Sequence, residues 1–302
     1  MATLAALLAG GKPALARALG DIERDPESGA TLDLLDAAYR APRAQVLGIT
    51  GPPGVGKSTL TGVLIAEWRK AGRSVGVLAV DPSSQASGGA LLGDRARIAA
   101  DPDDPGVFIR SLAARDRLGG LADLALPAAT LMAALFDVLA VETVGVGQSE
   151  TEITQLADTV LLCVQPGAGD SLQFMKAGIA ETPDVVAVTK SDLGPIAERA
   201  AADVRAGLAH AVGGDWTVPV LAVSAQQRQG LGLVIEAIDA HAAWLRGDDR
   251  RGRRRAAQSK HWLEHMLRDR FGRSGLQRAE SLDLAPAGSP FARWKAILAQ
   301  LG

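Results

Sequence analysis

The 302-residue chain is poor in the residues that build cross-links and metal cages: it has one cysteine, Cys163, and four histidines, His210, His241, His261 and His265. A single thiol excludes an intramolecular disulfide framework and fits a reducing, cytoplasmic compartment. The same scarcity argues against thiolate- or imidazole-rich metal sites. His261 and His265 stand four apart and can share a helix face, but no third ligand accompanies them. Cys163 lies in the apolar run 159–164 and reads as a small core residue. No apolar run approaches the roughly 20 residues needed to cross a bilayer, so no membrane element is expected. The first 11 residues are apolar but lack a leading basic cluster, and Lys12 and Arg17 follow soon after. They read as the start of an amphipathic helix rather than a signal peptide.

What is present is an ordinary globular composition, 47% hydrophobic and 22% charged. The net charge of −2 hides an asymmetry. Residues 246–302 hold 13 Lys/Arg against 6 Asp/Glu, a balance of +7, which leaves −9 on residues 1–245. Arg250, Arg251, Arg253, Arg254 and Arg255 form the densest cluster. No aromatic-rich motif accompanies it, so nucleic-acid binding is not expected. The cluster reads as a solvated linker or as an electrostatic contact with an acidic partner or with the acidic part of this chain.

Residues 1–43 carry helical patterning with a polar break over 21–29. Short β-rich runs then alternate with helical segments, at 45–50, 74–80, 107–110, 136–141, 159–164, 185–189 and 218–223. Continuous apolar runs spaced by helices predict an α/β fold, a mostly parallel sheet covered by helices on both faces. After residue 247 the β signal vanishes; 256–271 reads as a helix, 283–290 as a loop and 291–301 as a last short helix. The expected organisation is therefore an N-terminal helical extension (1–43), an α/β domain (44–245) and a basic helical extension (246–302).

The strand at 45–50 is followed by Gly51-Pro52-Pro53-Gly54-Val55-Gly56-Lys57-Ser58-Thr59, then by a helix expected over 59–68. Such a glycine-rich turn aims backbone N–H groups and the positive end of a helix dipole at one place, where phosphates bind. Lys57 is expected to reach the β/γ-phosphates and Ser58 to ligate Mg²⁺. Thr189-Lys190-Ser191-Asp192 follows another strand and matches the guanine-reading pattern. Guanine presents two adjacent donors, N1–H and the N2 amino group, which the Asp192 carboxylate accepts together. Adenine lacks that pair and would leave the carboxylate unpaired. The Lys190 stem can lie along the base, and Ser224-Ala225 ends a further strand as a second guanine element. GTP/GDP is therefore the expected nucleotide. For the metal, Asp81 and Asp94 follow the second strand, and Glu142 stands where most GTPases carry an aspartate. Gly145 is positioned to sense the γ-phosphate, and Gln148 to orient the attacking water.

Together GPPGVGKST (51–59), AVDPSS (79–84), GGALLGDRARI (88–98), VETVGVGQSE (141–150) and TKSD (189–192) resemble the MeaB/ArgK GTPases, the family that includes the methylmalonic-aciduria type A protein. The resemblance spans roughly residues 44–245. It implies a GTPase that attends an adenosylcobalamin-dependent acyl-CoA mutase, typically methylmalonyl-CoA mutase, as a homodimer joined through C-terminal helices. It also implies that Asp81, Asp94 and Glu142 are metal and switch residues. On the same resemblance, residues 165–176, with Asp170 and Lys176, signal nucleotide state to the mutase. The apolar segment 121–134, with Pro127 inside it, and the short tail after 272 depart from the family pattern. The alternative functions are nickel or cobalt delivery by a GTPase of the same class and, from a different class, an ATPase linked to amino-acid transport.

Overall fold

The computed structural model describes residues 3–81, 98, 101–113, 122–143, 153–167, 183–209, 215–281 and 289–301. Its helices and strands in chain order are α1 (Leu4–Arg24), α2 (Gly29–Arg40), β1 (Gln45–Thr50), α3 (Lys57–Lys70), β2 (Val75–Asp81), β3 (Val107–Ala113), α4 (Ala122–Ala133), β4 (Val138–Thr143), β5 (Thr159–Val164), β6 (Val185–Val188), α5 (Pro195–Ala209), β7 (Val220–Ala222), α6 (Leu231–Arg246), α7 (Arg250–Ser281) and α8 (Pro290–Leu301). The seven strands form one parallel sheet in the order β3-β2-β4-β1-β5-β6-β7. This is the doubly covered sheet that the unbroken apolar runs predict, because every residue of β1, β4, β5 and β6 is buried.

Side chains alternate between the two faces of the sheet. Leu47, Ile49, Val75, Val77 and Leu161 join Leu60, Leu64 and Trp68 of α3 and Val234 and Ile238 of α6 in one cluster. Val46, Leu78, Leu139 and Val141 face the other way, into a cluster built from α1, α2, α4, α7 and α8. The N- and C-terminal helices thus share a single apolar layer. Phe291 and Trp294 of α8 are fully buried there, Phe291 against Tyr39 and Trp262 and Trp294 against Trp262 and Phe271. Cys163 is buried, and its thiol is pushed up to about 12 by that burial, which leaves it a neutral core residue.

Several boundaries differ from those expected. Helix α3 begins at Lys57, so the last residues of the phosphate-loop motif already form its first turn. Strand β4 runs from Val138 to Thr143, which places Glu142 inside the sheet, paired with Ile49 and Ala79, rather than after it. The last long helix starts at Arg250 and is interrupted at Gly272 (φ 66°). The arginine cluster is therefore helical, and it is not a linker.

The arginines bind a repeated device at the amino edge of the sheet. Asp137, Asp158 and Asp184 each stand one residue before a strand, and each carboxylate accepts an N–H at the start of a neighbouring strand. The pairs are Ser74 N–H to Asp137 (2.9 Å), Val46 N–H to Asp158 (3.0 Å) and Val160 N–H to Asp184 (2.8 Å). Each of these amides lies where the chain enters a strand, and the carboxylate satisfies it. Arg255 then forks onto both oxygens of Asp158 at 2.7 Å, Arg251 lies 3.4 Å away, and Arg254 meets Asp184 at 3.1 Å. Burial by itself would raise the Asp137 carboxyl, but the Ser74 hydroxyl and amide and the Arg43 guanidinium together hold it below the usual carboxylate value.

Candidate nucleotide-binding site

The phosphate loop joins the central strand β1 to α3 at the carboxyl edge of the sheet, where parallel sheets bind their ligands. Two of its glycines are required by geometry. Gly51 has φ 138°, and a Cβ there would lie 2.2 Å from the carbonyl oxygen of Cys163. Gly56, at φ 99°, takes the left-handed conformation that precedes the first helical residue, Lys57. Pro53, Gly54, Gly56, Lys57, Ser58 and Thr59 line a cleft of about 420 Å³ that also reaches Ala79 and Glu142. Lys57 is buried, and its Nζ donates to the carbonyls of Gly51 (2.7 Å) and Pro52 (3.0 Å).

Glu142 projects from β4 towards the same helix. The Ser58 hydroxyl donates to Glu142 Oε1 at 2.5 Å, and the Thr61 hydroxyl lies 3.0 Å from Oε2. Ser58 gives its one proton to the carboxylate and keeps its lone pairs for a cation. A hydroxyl and a carboxylate beside a phosphate-sized cleft are the hard oxygen donors that suit Mg²⁺. Asp81 is the last residue of β2, at the same edge. Its side chain, and all of Asp94, Gly145, Gln148, Asp170 and Lys176, lie outside the described residues.

A second pocket, of about 160 Å³, adjoins the first and is lined by Val55, Thr59, Leu60, Thr189, Lys190, Asp192, Ser224 and Ala225. Both guanine elements thus meet the phosphate loop in one place. Asp192 Oδ1 accepts from the buried Ser224 hydroxyl at 2.6 Å, and Ser191 N–H donates to the Val223 carbonyl at 3.2 Å. Thr189 has a structural part in this junction: its hydroxyl lies 2.8 Å from the Val55 carbonyl and 3.1 Å from that of Val164. Lys190 donates to the carbonyl of Gly54 (3.0 Å) and to Gln165 Oε1 (2.8 Å), laying its stem across the pocket mouth. Sequence reasoning did not assign Thr61, or the contact of Gln165 with Lys190. The available signals were a hydroxyl three residues after Ser58 on one helix, and a polar residue directly after β5.

Among the described residues no group of three His, Cys, Asp or Glu is arranged to hold a metal ion. His261 is exposed, and His265 faces Asp123 at 3.2 Å.

A parallel sheet with a phosphate loop at its central strand makes this a P-loop GTPase fold. The family model described as "Methylmalonyl Co-A mutase-associated GTPase MeaB" matches residues 15–279, and the chain belongs to that family. GTPase ArgK of Escherichia coli is 35% identical over 222 residues, 72% of this chain and 67% of ArgK. A Pyrococcus abyssi relative is 48% identical over 185 residues, which are 61% of this chain and only 56% of the relative, little over half its length. A solved structure of the LAO/AO transport system kinase is similar at a TM-score of 0.72 and 28% identity, over 98% of this chain and 96% of that one.

Proposed function

We propose that this chain binds and hydrolyses GTP with Mg²⁺ and serves an adenosylcobalamin-dependent acyl-CoA mutase, gating cofactor loading and protecting the mutase. The observation that carries the nucleotide choice is the Asp192 carboxylate, oriented by Ser224 in a pocket continuous with the phosphate loop. The two guanine donors then meet one fixed acceptor group. Lys57 leaves the loop carbonyls for the β/γ-phosphates, where its charge opposes the charge that builds up in the transition state. Ser58 and Glu142 hold Mg²⁺, which when bound neutralises phosphate charge. Asp81 and Asp94 are proposed as further acidic partners, with Gly145 and Gln148 at the γ-phosphate. Nothing in the nucleotide motifs identifies an arginine finger, which contributes about 10³–10⁵ in rate where one exists. Turnover by the isolated protein is accordingly slow.

The mutase is supported by the description of the family to which the chain belongs; a homodimer built through the C-terminal helices is proposed beside it. The position of Gln165 supports a relay. It follows β5, touches Lys190 at the base pocket, and begins the segment 165–176 proposed to face the mutase. The proposed compartment is the cytoplasm; no helix among the described residues is long and apolar enough to cross a membrane.

Competition binding tests the nucleotide. GTP and GDP bind with Mg²⁺, and ATP competes at least about a hundredfold more weakly because its base leaves a site carboxylate unpaired. Tight ATP binding would remove the assignment. Pull-down from native extract with the GTP- or GDP-loaded protein tests the partner. Recovery of a cobalamin mutase supports the proposal, and recovery of none in either state defeats it.

A further inference from the structure

We infer that Thr61 is a positioning residue that fixes the Glu142 carboxylate for cation binding, an inference that rests on Ser58 and Glu142 being the partners of Mg²⁺. Thr61 follows Ser58 by three residues on α3, so both hydroxyls lie on one helix face. It is fully buried, and its Oγ1 lies 3.0 Å from Glu142 Oε2 and 3.0 Å from the Lys57 carbonyl. An ionised carboxylate only accepts, so Thr61 must be the donor in that contact. The Lys57 carbonyl is already served by the helical N–H four residues on. The hydroxyl proton is therefore best given to the charged acceptor, where the hydrogen bond is stronger.

The consequence is geometric. Ser58 holds Oε1 and Thr61 holds Oε2, so one helix grips both oxygens and sets the rotation of the carboxylate plane. Glutamate at this position carries one more rotatable bond than the aspartate usual in GTPases, and its terminal torsion is broad. A second grip removes that freedom before the cation arrives, as partners of metal ligands generally do. Thr61 itself lines neither pocket and is not expected to touch phosphate or base.

The test is a Mg²⁺ titration of fluorescent GDP binding to the full chain, with the thermal melt of the nucleotide-free protein recorded alongside. Thr61→Val keeps shape and removes the donor. It is expected to raise the half-point in Mg²⁺ by about 10- to 100-fold, the range typical for partners of metal ligands. GDP affinity in EDTA should stay at the wild-type value, and Thr61→Ser should restore the half-point. In a Glu142→Gln background, Thr61→Val should shift the half-point much less, because the group it positions has gone. An unchanged half-point in Thr61→Val, or fully additive effects in the double variant, overturns the inference. If Thr61→Val does not fold, Thr61→Ala and Thr61→Ser are compared instead, and equal half-points for those two overturn it. A wild-type protein whose GDP binding ignores Mg²⁺ defeats the underlying site reading, an outcome distinct from failure of Thr61 alone.

Discussion

The two edges of the sheet both carry charged side chains, but they use them differently. At the amino edge Asp158 is almost fully buried, and its oxygens are taken by Val46 N–H and by Arg255, with Arg251 close by. At the carboxyl edge Lys57, Glu142 and Asp192 line clefts open enough for phosphate and base. Removing a charge from water is costly at either edge. At the amino edge the chain meets that cost with its own arginines, which couple the C-terminal helix to the strand starts. At the carboxyl edge the charges are held in position by Ser58, Thr61 and Ser224 but still face a cavity. A buried carboxylate paired within the fold marks structure; one that is oriented towards an open cleft marks a binding site.

The largest effect expected from breaking the comparison is at the cleft. Lys57→Ala should lower GTP turnover by about 10²–10³-fold or more, as loss of a charge aimed at the transition state does. Its urea midpoint should stay near that of the wild type. Next is the amino edge, where Asp158→Ala leaves two arginines unpaired and should cost about 3–5 kcal/mol of stability in urea unfolding. Turnover by the folded fraction should be unaltered. An Asp158→Ala protein that lost GTP binding while still folded would break the division of labour.

A pH series sharpens it further. His241 is buried between Trp216 and Trp244, with Nδ1 2.9 Å from the Thr159 hydroxyl and Nε2 3.3 Å from Asp184. Burial pushes the imidazole below its ordinary value of 6.5, with Asp184 opposing that shift and Arg254 adding to it. The unfolded chain therefore takes up the proton first as pH falls. Stability should decline below about pH 6.5 and level off once the folded-state value is passed. His241→Gln should flatten that part of the curve in chemical denaturation. The smallest effect belongs to Arg253, which is exposed and, among the described residues, bonds the Asp248 carbonyl nearby. Arg253→Ala should change stability by no more than about 0.5 kcal/mol, although it belongs to the same run as Arg255.

Much of the fold is legible in the sequence. The strand positions followed from apolar runs, because a sheet covered on both faces leaves no polar alternation to misread. The phosphate loop and TKSD followed from chemistry that constrains residue type at fixed spacing. The amino-edge clamp was not legible, since Asp158 and Arg255 are 97 apart in sequence and only the strand register brings them together. The cluster 250–255 showed its charge and offered the acidic part of this chain as one candidate partner, but not which carboxylates it meets. Thr61 was hidden for a similar reason: its meaning depends on Glu142 lying within β4, and the β signal placed the end of that strand one residue before Glu142. Helix α3 starting at Lys57 reflects the positive φ of Gly56, a conformation that the motif permits without dictating where the helix begins.

The most direct measurement is a nucleotide crossover. Wild-type protein and Asp192→Asn are titrated with Mg²⁺-loaded GDP and xanthosine diphosphate, whose C2 oxygen replaces the amino donor. On the proposal that Asp192 reads the guanine edge, the wild type should prefer GDP and Asp192→Asn should prefer the xanthine nucleotide, each by about tenfold or more, the worth of one charge-assisted hydrogen bond. If Asp192→Asn retains the wild-type order of preference, the carboxylate at the second pocket does not read the base, and the guanine site fails.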